Sequence, residues 1–249
     1  MKTQTIDLSD PRSRIAVALD VSTLDEITHW VTLLKDYVGY FKVGFELIHS
    51  VGGPQAVRAV KEAGGKVFYD CKLHDISETM KKTSVVIEEI TNLGVDIFNI
   101  HASAGLKAME WVRSVSKDSM VSAVTVLSSL SEDECKRIYN RDIRTQVMVF
   151  ATDIITAKLP SLICAPTEAG MVKNILSKEI VIISPGIRPV WALANDQNPD
   201  RIMTPYKAII AGSDILVIGR PILQPPAEIG DPITAVKLII KEIEEALAA

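Results

Sequence analysis

The chain has 249 residues, 47% of them hydrophobic and 23% charged, with a formal net charge of -4. That length buries enough apolar surface for a large core, which excludes a disulfide-stapled miniprotein and a disordered polypeptide. The slightly acidic balance excludes a broad nucleic-acid surface, which needs a basic excess, and leaves room for a small anionic ligand at a local site. Cys71, Cys135 and Cys164 are an odd number at wide spacings that match no zinc pattern. They read as reduced thiols of a cytosolic protein. Residues 1–14 lack the apolar run of a secretory signal, and no run approaches the roughly 20 apolar residues of a membrane helix.

In chain order, short apolar runs alternate with longer segments of helical period. A strand is predicted over 15–19 and a helix over 23–34. Strand 40–45 leads to helix 54–63, strand 66–70 to helix 75–93, and strand 95–101 to helix 106–115. Then follow strand 120–127 and helix 142–157, strand 162–165 and helix 167–176, strand 180–184 and helix 205–211, and strand 215–218 and helix 232–247. Runs such as Ile180-Val181-Ile182-Ile183 and Ile215-Leu216-Val217-Ile218 are continuously apolar, as parallel strands covered on both faces are. Pro54, Pro205 and Pro232 stand near helix starts, and Gly64, Gly94 and Gly212 just past helix ends.

Eight strand–helix repeats in about 235 residues make an α/β fold, the (β/α)8 TIM barrel, as one catalytic domain over 1–249 with residues 1–13 as an N-terminal extension. A doubly wound open sheet is the alternative, but Leu19-Asp20-Val21-Ser22 stands where its glycine-rich phosphate turn is expected. A barrel places its chemistry at the C-terminal strand ends. Those ends carry Asp20, Lys42, Asp70-Cys71-Lys72, His101, Thr125 with Ser128, Gly186-Ile187-Arg188 and Gly219-Arg220.

The sharpest feature is Asp70-Cys71-Lys72-Leu73-His74-Asp75-Ile76. On a strand, residues i and i+2 share a face, so Asp70 and Lys72 are expected to point into the barrel mouth and Cys71 toward the helices. Asp75 is expected beside Lys72 or across an oligomer interface. Carboxylates around a lysine hold it as an ammonium, a general acid. A carboxylate placed against a negative substrate group raises the ground state relative to a transition state that loses that charge. This layout suits proton delivery to a forming carbanion. At the other side of the mouth, Gly186 and Gly219 let backbone amides approach an anion, and Arg188 and Arg220 suit its oxygens. The polar stretch 189–201, with Asn195, Gln197 and Asn198, reads as a lid over a phosphate. His74 and His101 lack the spacing of metal ligands, so no metal is expected.

These motifs carry a resemblance. The chain from Arg14 to about Gln224 resembles the orotidine 5′-phosphate decarboxylase family, on Ala18-Leu19-Asp20, Phe41-Lys42-Val43-Gly44, Asp70-x-Lys72-Leu73-His74-Asp75-Ile76, Ile100-His101-Ala102-Ser103, Ala123-Val124-Thr125-x-Leu127, Pro185-Gly186-Ile187-Arg188 and Val217-Ile218-Gly219-Arg220-Pro221. The resemblance implies a homodimeric barrel that converts orotidine 5′-phosphate to uridine 5′-phosphate (UMP) and CO₂ without metal or organic cofactor, in the cytoplasm, as the last step of de novo pyrimidine synthesis. It implies Lys72 as proton donor to pyrimidine C6, with Asp70 beside the departing carboxylate and Lys42 in the same charge array. Asp75 is implied to come from the partner subunit. Asp20, Lys42 and Thr79 are implied at the ribose, with Thr79 also from the partner. Ser128 is implied at the base, and Arg188, Gln197, Gly219 and Arg220 at the phosphate.

Ser77-Glu78 departs from the Pro-Asn usual in the family, and Glu78 is expected to bring negative charge close to the site. A metal-dependent sugar-phosphate decarboxylase or synthase on the same barrel shares the Asp-x-Lys-x-x-Asp spacing, but needs a glutamate where Lys42 stands. A silent nucleotide-binding scaffold is the other alternative.

Overall fold

The computed structural model describes residues 6–90, 94–192 and 201–249. Eight parallel strands close into a barrel in chain order. They are β1 (Ile15–Leu19), β2 (Tyr40–Val43), β3 (Val67–Leu73), β4 (Val95–His101), β5 (Met120–Val124), β6 (Ser161–Ile163), β7 (Val181–Ser184) and β8 (Ile215–Ile218). The last strand pairs with the first, with Val17 opposite Ile218. Helix α1 (Leu24–Leu34) follows β1, and the single turn α2 (Phe45–Leu47) and α3 (Gly53–Glu62) follow β2. Next come α4 (Ser77–Ile90) and α5 (Leu106–Val115). Helices α6 (Glu132–Tyr139) and α7 (Ile143–Thr156) lie between β5 and β6, and α8 (Pro166–Ile175) follows β6. After β7 comes α9 (Pro205–Ile210), and after β8 the short α10 (Arg220–Leu223) and the long α11 (Pro232–Leu247).

The alternation of side chains along each strand divides the core in two. Ala16, Tyr40, Phe68, Ile97, Met120, Val124, Ile163, Ile183 and Ile215 fill the inside of the barrel. Val17, Phe41, Val43, Val67, Phe98, Ile100, Val121, Leu162, Ile182 and Leu216 face the helices and form the larger cluster with them. The residues before β1 are part of this packing. Ile6 and Leu8 lie against the inner cluster at the N-terminal end of the barrel, and a 3-10 turn over Pro11–Arg14, capped by Asp10, leads into β1.

Several elements differ from the sequence expectation. Strand β5 ends at Val124 rather than at 127. Strand β3 extends past Asp70 to Leu73, which pairs with Ile100 beyond a register shift where the Lys72 amide donates to the Asn99 side chain (2.7 Å). Helix α4 begins at Ser77, since the Ile76 carbonyl already accepts the Met80 amide as a cap. The helix α6 is absent from the sequence reading, yet its start is a capping box: Ser131 Oγ accepts from the Glu134 amide and Glu134 accepts from the Ser131 amide. No helix among the described residues is long and apolar enough to cross a membrane.

Phe41, 1% exposed between barrel and helices, tests the outer core. Phe41→Ala should cost roughly 3–5 kcal/mol by urea denaturation, the range for a truncated buried aromatic. A loss under about 1 kcal/mol would mean that this packing carries little of the fold.

Candidate active site

The strand ends bring Asp20, Lys42, Asp70 and Lys72 into one alternating array. Asp70 sits at its centre and is 7% exposed. Its Oδ1 accepts from Lys72 Nζ at 2.7 Å and from Asn99 Nδ2 at 2.6 Å. Its Oδ2 lies 3.3 Å from Lys42 Nζ, which in turn lies 3.9 Å from Asp20 Oδ1. Burial alone would raise the Asp70 pKa. The two ammonium groups and the hydrogen bonds from Lys72 and Asn99 outweigh it and hold the carboxyl below its usual range. Asp70 is therefore ionised, and it fixes both lysines.

Lys72 reaches this position through an irregular backbone. Its φ is +45°, a left-handed conformation uncommon for a residue with a side chain. The β3–β4 pairing shifts register between Tyr69 and Leu73, and the Lys72 amide donates to Asn99 Oδ1. Asn99 thus holds the lysine's backbone with its oxygen and the aspartate's side chain with its nitrogen. Strain of this kind costs on the order of 1–3 kcal/mol and persists where the surroundings over-determine it. The Lys72 ammonium also lies 5.2 Å from the Phe45 ring centroid.

Lys42, Asp70 and Lys72 of this array form one wall of a cavity of about 250 Å³. Asn99 and Ser128 add polar groups to that wall, while Phe68, Val124, Val126, Ile163 and Val217 form an apolar floor. Arg188 and Arg220 stand at another side of the mouth. Arg188 is buried and Arg220 exposed. Burial and the neighbouring Arg220 guanidinium lower the Arg188 pKa, and Asp20 opposes them. Two guanidinium groups that repel each other gain from an anion shared between them. Gly219 has no side chain for a steric reason: a Cβ there would stand 3.1 Å from Asp20 Oδ2 and 3.3 Å from Ala18 Cβ.

Of the described sequence-predicted residues, Asp20, Asp75, Thr79, Arg188, Gly219 and Arg220 do not line this cavity. Asp75 and Thr79 are exposed, and Asp75 Oδ1 accepts from the adjacent Ile76 amide. Gln197 lies outside the described residues, as does most of the predicted lid. Glu78 does not line the cavity of its own chain; it is exposed, 3.6 Å from Lys82 one helical turn on. The sequence reading missed Asn99, which stands two residues before His101 on β4. The same i, i+2 rule that paired Asp70 with Lys72 puts it on the inner face. It also missed a buried ion pair between Glu168 and Arg201. Among the described residues, no group of three or more His, Cys, Asp or Glu side chains could hold a metal ion.

A closed parallel barrel that gathers a lysine–aspartate array and an arginine pair at its C-terminal mouth defines a class: barrel enzymes that act on a small anionic substrate. Comparison with known proteins narrows the class. Residues 13–237 match the orotidine 5′-phosphate decarboxylase / HUMPS family. The chain is 36% identical over 240 residues to orotidine 5′-phosphate decarboxylase of Geobacter metallireducens, covering 93% of this chain and 96% of that protein. It is 39% identical over 243 residues to the enzyme of that name from Rhodopseudomonas palustris, covering 97% and 98%. Among solved structures, the orotidine 5′-phosphate decarboxylase of Lactobacillus acidophilus superposes with a TM-score of 0.76 at 25% identity, covering 92% of this chain and 98% of that one. The chain belongs to the orotidine 5′-phosphate decarboxylase / HUMPS family.

His101 gives this region a measurable acid response. Burial first, then the charges of His74 and Lys72, lower its pKa to about 4, and Asp70 opposes them. The folded chain therefore binds fewer protons than the unfolded chain as pH falls from about 6.5 to about 4, and stability is lost across that window. The lowered pKa of Asp70 keeps its own contribution in place until the pH falls beneath the ordinary carboxylate range. His101→Asn should lose less stability than wild type over the same window, by about 1–3 kcal/mol after solvent screening, in thermal melts against pH. Parallel curves for the two proteins would contradict this assignment.

Proposed function

We propose that this chain decarboxylates orotidine 5′-phosphate to UMP and CO₂, with Lys72 as the acid that protonates C6. The observation that carries the reading is the bond from Lys72 Nζ to the buried Asp70 carboxylate, with Lys42 on the other oxygen. The substrate's base enters the cavity with its carboxylate toward Asp70. Two carboxylates then face each other above an apolar floor, which raises the ground state. Breaking the C6–carboxyl bond releases neutral CO₂ and moves that carboxylate's negative charge, with the bonding electron pair, onto C6, away from Asp70. The Lys72 ammonium, already oriented, transfers its proton to C6 and is reprotonated from water. Preorganised charge of this kind lowers a barrier without reorganising at the moment of reaction. Asp20 and Lys42 hold the ribose, Ser128 contacts the base, and Arg188, Gln197, Gly219 and Arg220 bind the phosphate. Binding energy gathered there, away from the reacting carbon, contributes to reaching the transition state.

The metal-dependent alternative requires a carboxylate where Lys42 stands, and an ammonium 3.3 Å from Asp70 repels a cation. The proposed mechanism uses no cofactor. Incubation with orotidine 5′-phosphate should consume the substrate's ultraviolet absorbance at the same rate with and without chelator. No turnover by the folded protein would move the assignment to the silent scaffold. Lys72→Ala should lower kcat by at least about 10²–10⁴-fold, the usual worth of a positioned general acid, with the fold intact by circular dichroism. Substantial residual turnover would remove Lys72 from the role.

The active assembly in this reading is a cytoplasmic homodimer in which each chain lends Asp75 and Thr79 to the other's site. Support comes from the exposure of both residues and from Ile76 between them, a large apolar side chain 71% exposed. The separately impaired Lys72→Ala and Asp75→Asn proteins should regain activity when mixed, because a hybrid dimer holds one intact site. Confirmed subunit exchange without recovery would confine Asp75 to its own chain.

A further inference from the structure

We propose that the buried Arg201–Glu168 pair is a positioning device that sets the distance between the base-binding and phosphate-binding halves of the site. The inference rests on the reading of Ser128 and Arg188 given above. Arg201 and Glu168 are 3% and 5% exposed. Neither lines the cavity, and the proposed mechanism uses neither. Arg201 Nη2 donates to Glu168 Oε2 at 2.8 Å, on the first turn of α8. Arg201 Nη1 donates to the Leu127 carbonyl at 2.6 Å, one residue before Ser128. Glu168 is itself held by a 2.7 Å bond from Thr167 Oγ1.

The backbone beyond Arg201 is fastened to the phosphate side. The Met203 amide donates to the Gly186 carbonyl at 3.2 Å, and the Arg188 amide donates to the Met203 carbonyl at 2.9 Å. Ile187 and Met203 form a parallel bridge. The approach is close enough to require glycine at 186, whose φ is +79° and whose added Cβ would lie 2.9 Å from the Arg201 carbonyl. One guanidinium thus connects the β5 loop that carries Ser128, the start of α8, and the segment paired to Arg188.

A buried ion pair is a weak source of stability, because desolvation offsets its attraction. Its use here is directional. The planar guanidinium presents its donors at fixed angles, so it can hold a carboxylate and a carbonyl at once in one geometry. A ligand that spans both halves of the site gains affinity only when the halves are correctly spaced.

The test compares a spanning ligand with its fragments. The double variant Arg201→Met/Glu168→Leu replaces the pair with apolar groups of similar size and should fold. Its UMP affinity should fall at least about tenfold, while uridine and inorganic phosphate each bind within about twofold of wild type, as expected if spacing alone is lost. A UMP loss no larger than the product of the two fragment losses overturns the proposal. Should that variant fail to fold, Arg201→Lys decides: it keeps the charge pairing and drops the planar fork. Its UMP affinity should fall with fragment binding unchanged, and wild-type UMP affinity would overturn the proposal. Failure of the wild-type protein to bind UMP would instead sink the functional reading on which this inference rests.

Discussion

The site is organised around one buried carboxylate. Asp70 is expensive to place in a barrel interior as an anion, and the structure offsets that cost with two ammonium groups and an amide. Each partner is positioned in turn by the need to satisfy it. Lys42 is drawn between Asp70 and Asp20. Lys72 takes a left-handed backbone conformation, and Asn99 holds that backbone through its other end. The interruption in the β3–β4 ladder is therefore the structural cost of placing an ammonium beside a buried aspartate.

This arrangement also separates binding from chemistry. The charge array lies over an apolar floor at one part of the mouth, and the arginine pair lies at another. In the proposed reading, a phosphate at the arginines is held at a distance from the bond that breaks. Under that proposal, energy gained at the arginines acts on the reacting carbon only through a rigid connection between the two regions. The pairing of Met203 with residues 186–188, and the contacts of Arg201, are such a connection.

Much of this was legible in the sequence, for identifiable reasons. Short apolar runs marked the eight strands, several of them continuously apolar because strands covered on both faces have no polar side to alternate with. Asp70 and Lys72 were legible as a pair since they are two residues apart on one strand. The irregularity at Lys72 was not, because a positive φ is signalled by glycine and no glycine stands there. Asn99 sits between Phe98 and Ile100 in an apolar strand, so its polarity was easily passed over, although its register with His101 was available. The Arg201–Glu168 pair joins residues far apart in the chain, and no local pattern encodes such a contact. The predicted helix start at 75 failed because Ile76, not an acidic or hydroxyl residue, serves as the cap. The roles proposed for Asp75 and Thr79 depend on a second chain, which no reading of one chain's contacts supplies.

The closure of the barrel has a consequence for how the chain reaches this state. Strand β1 must find β8, and Arg14 bonds the Asp214 carbonyl across 200 residues. Contacts of such separation form late, because a long loop must close before they reward it. Until β8 emerges from the ribosome, β1 presents an unpaired apolar edge, and Ile6 and Leu8 have only part of their seat. Self-association is therefore most dangerous for a nearly complete nascent chain, and the final helical turns of α11 leave the ribosome only after the seam that removes this hazard can form.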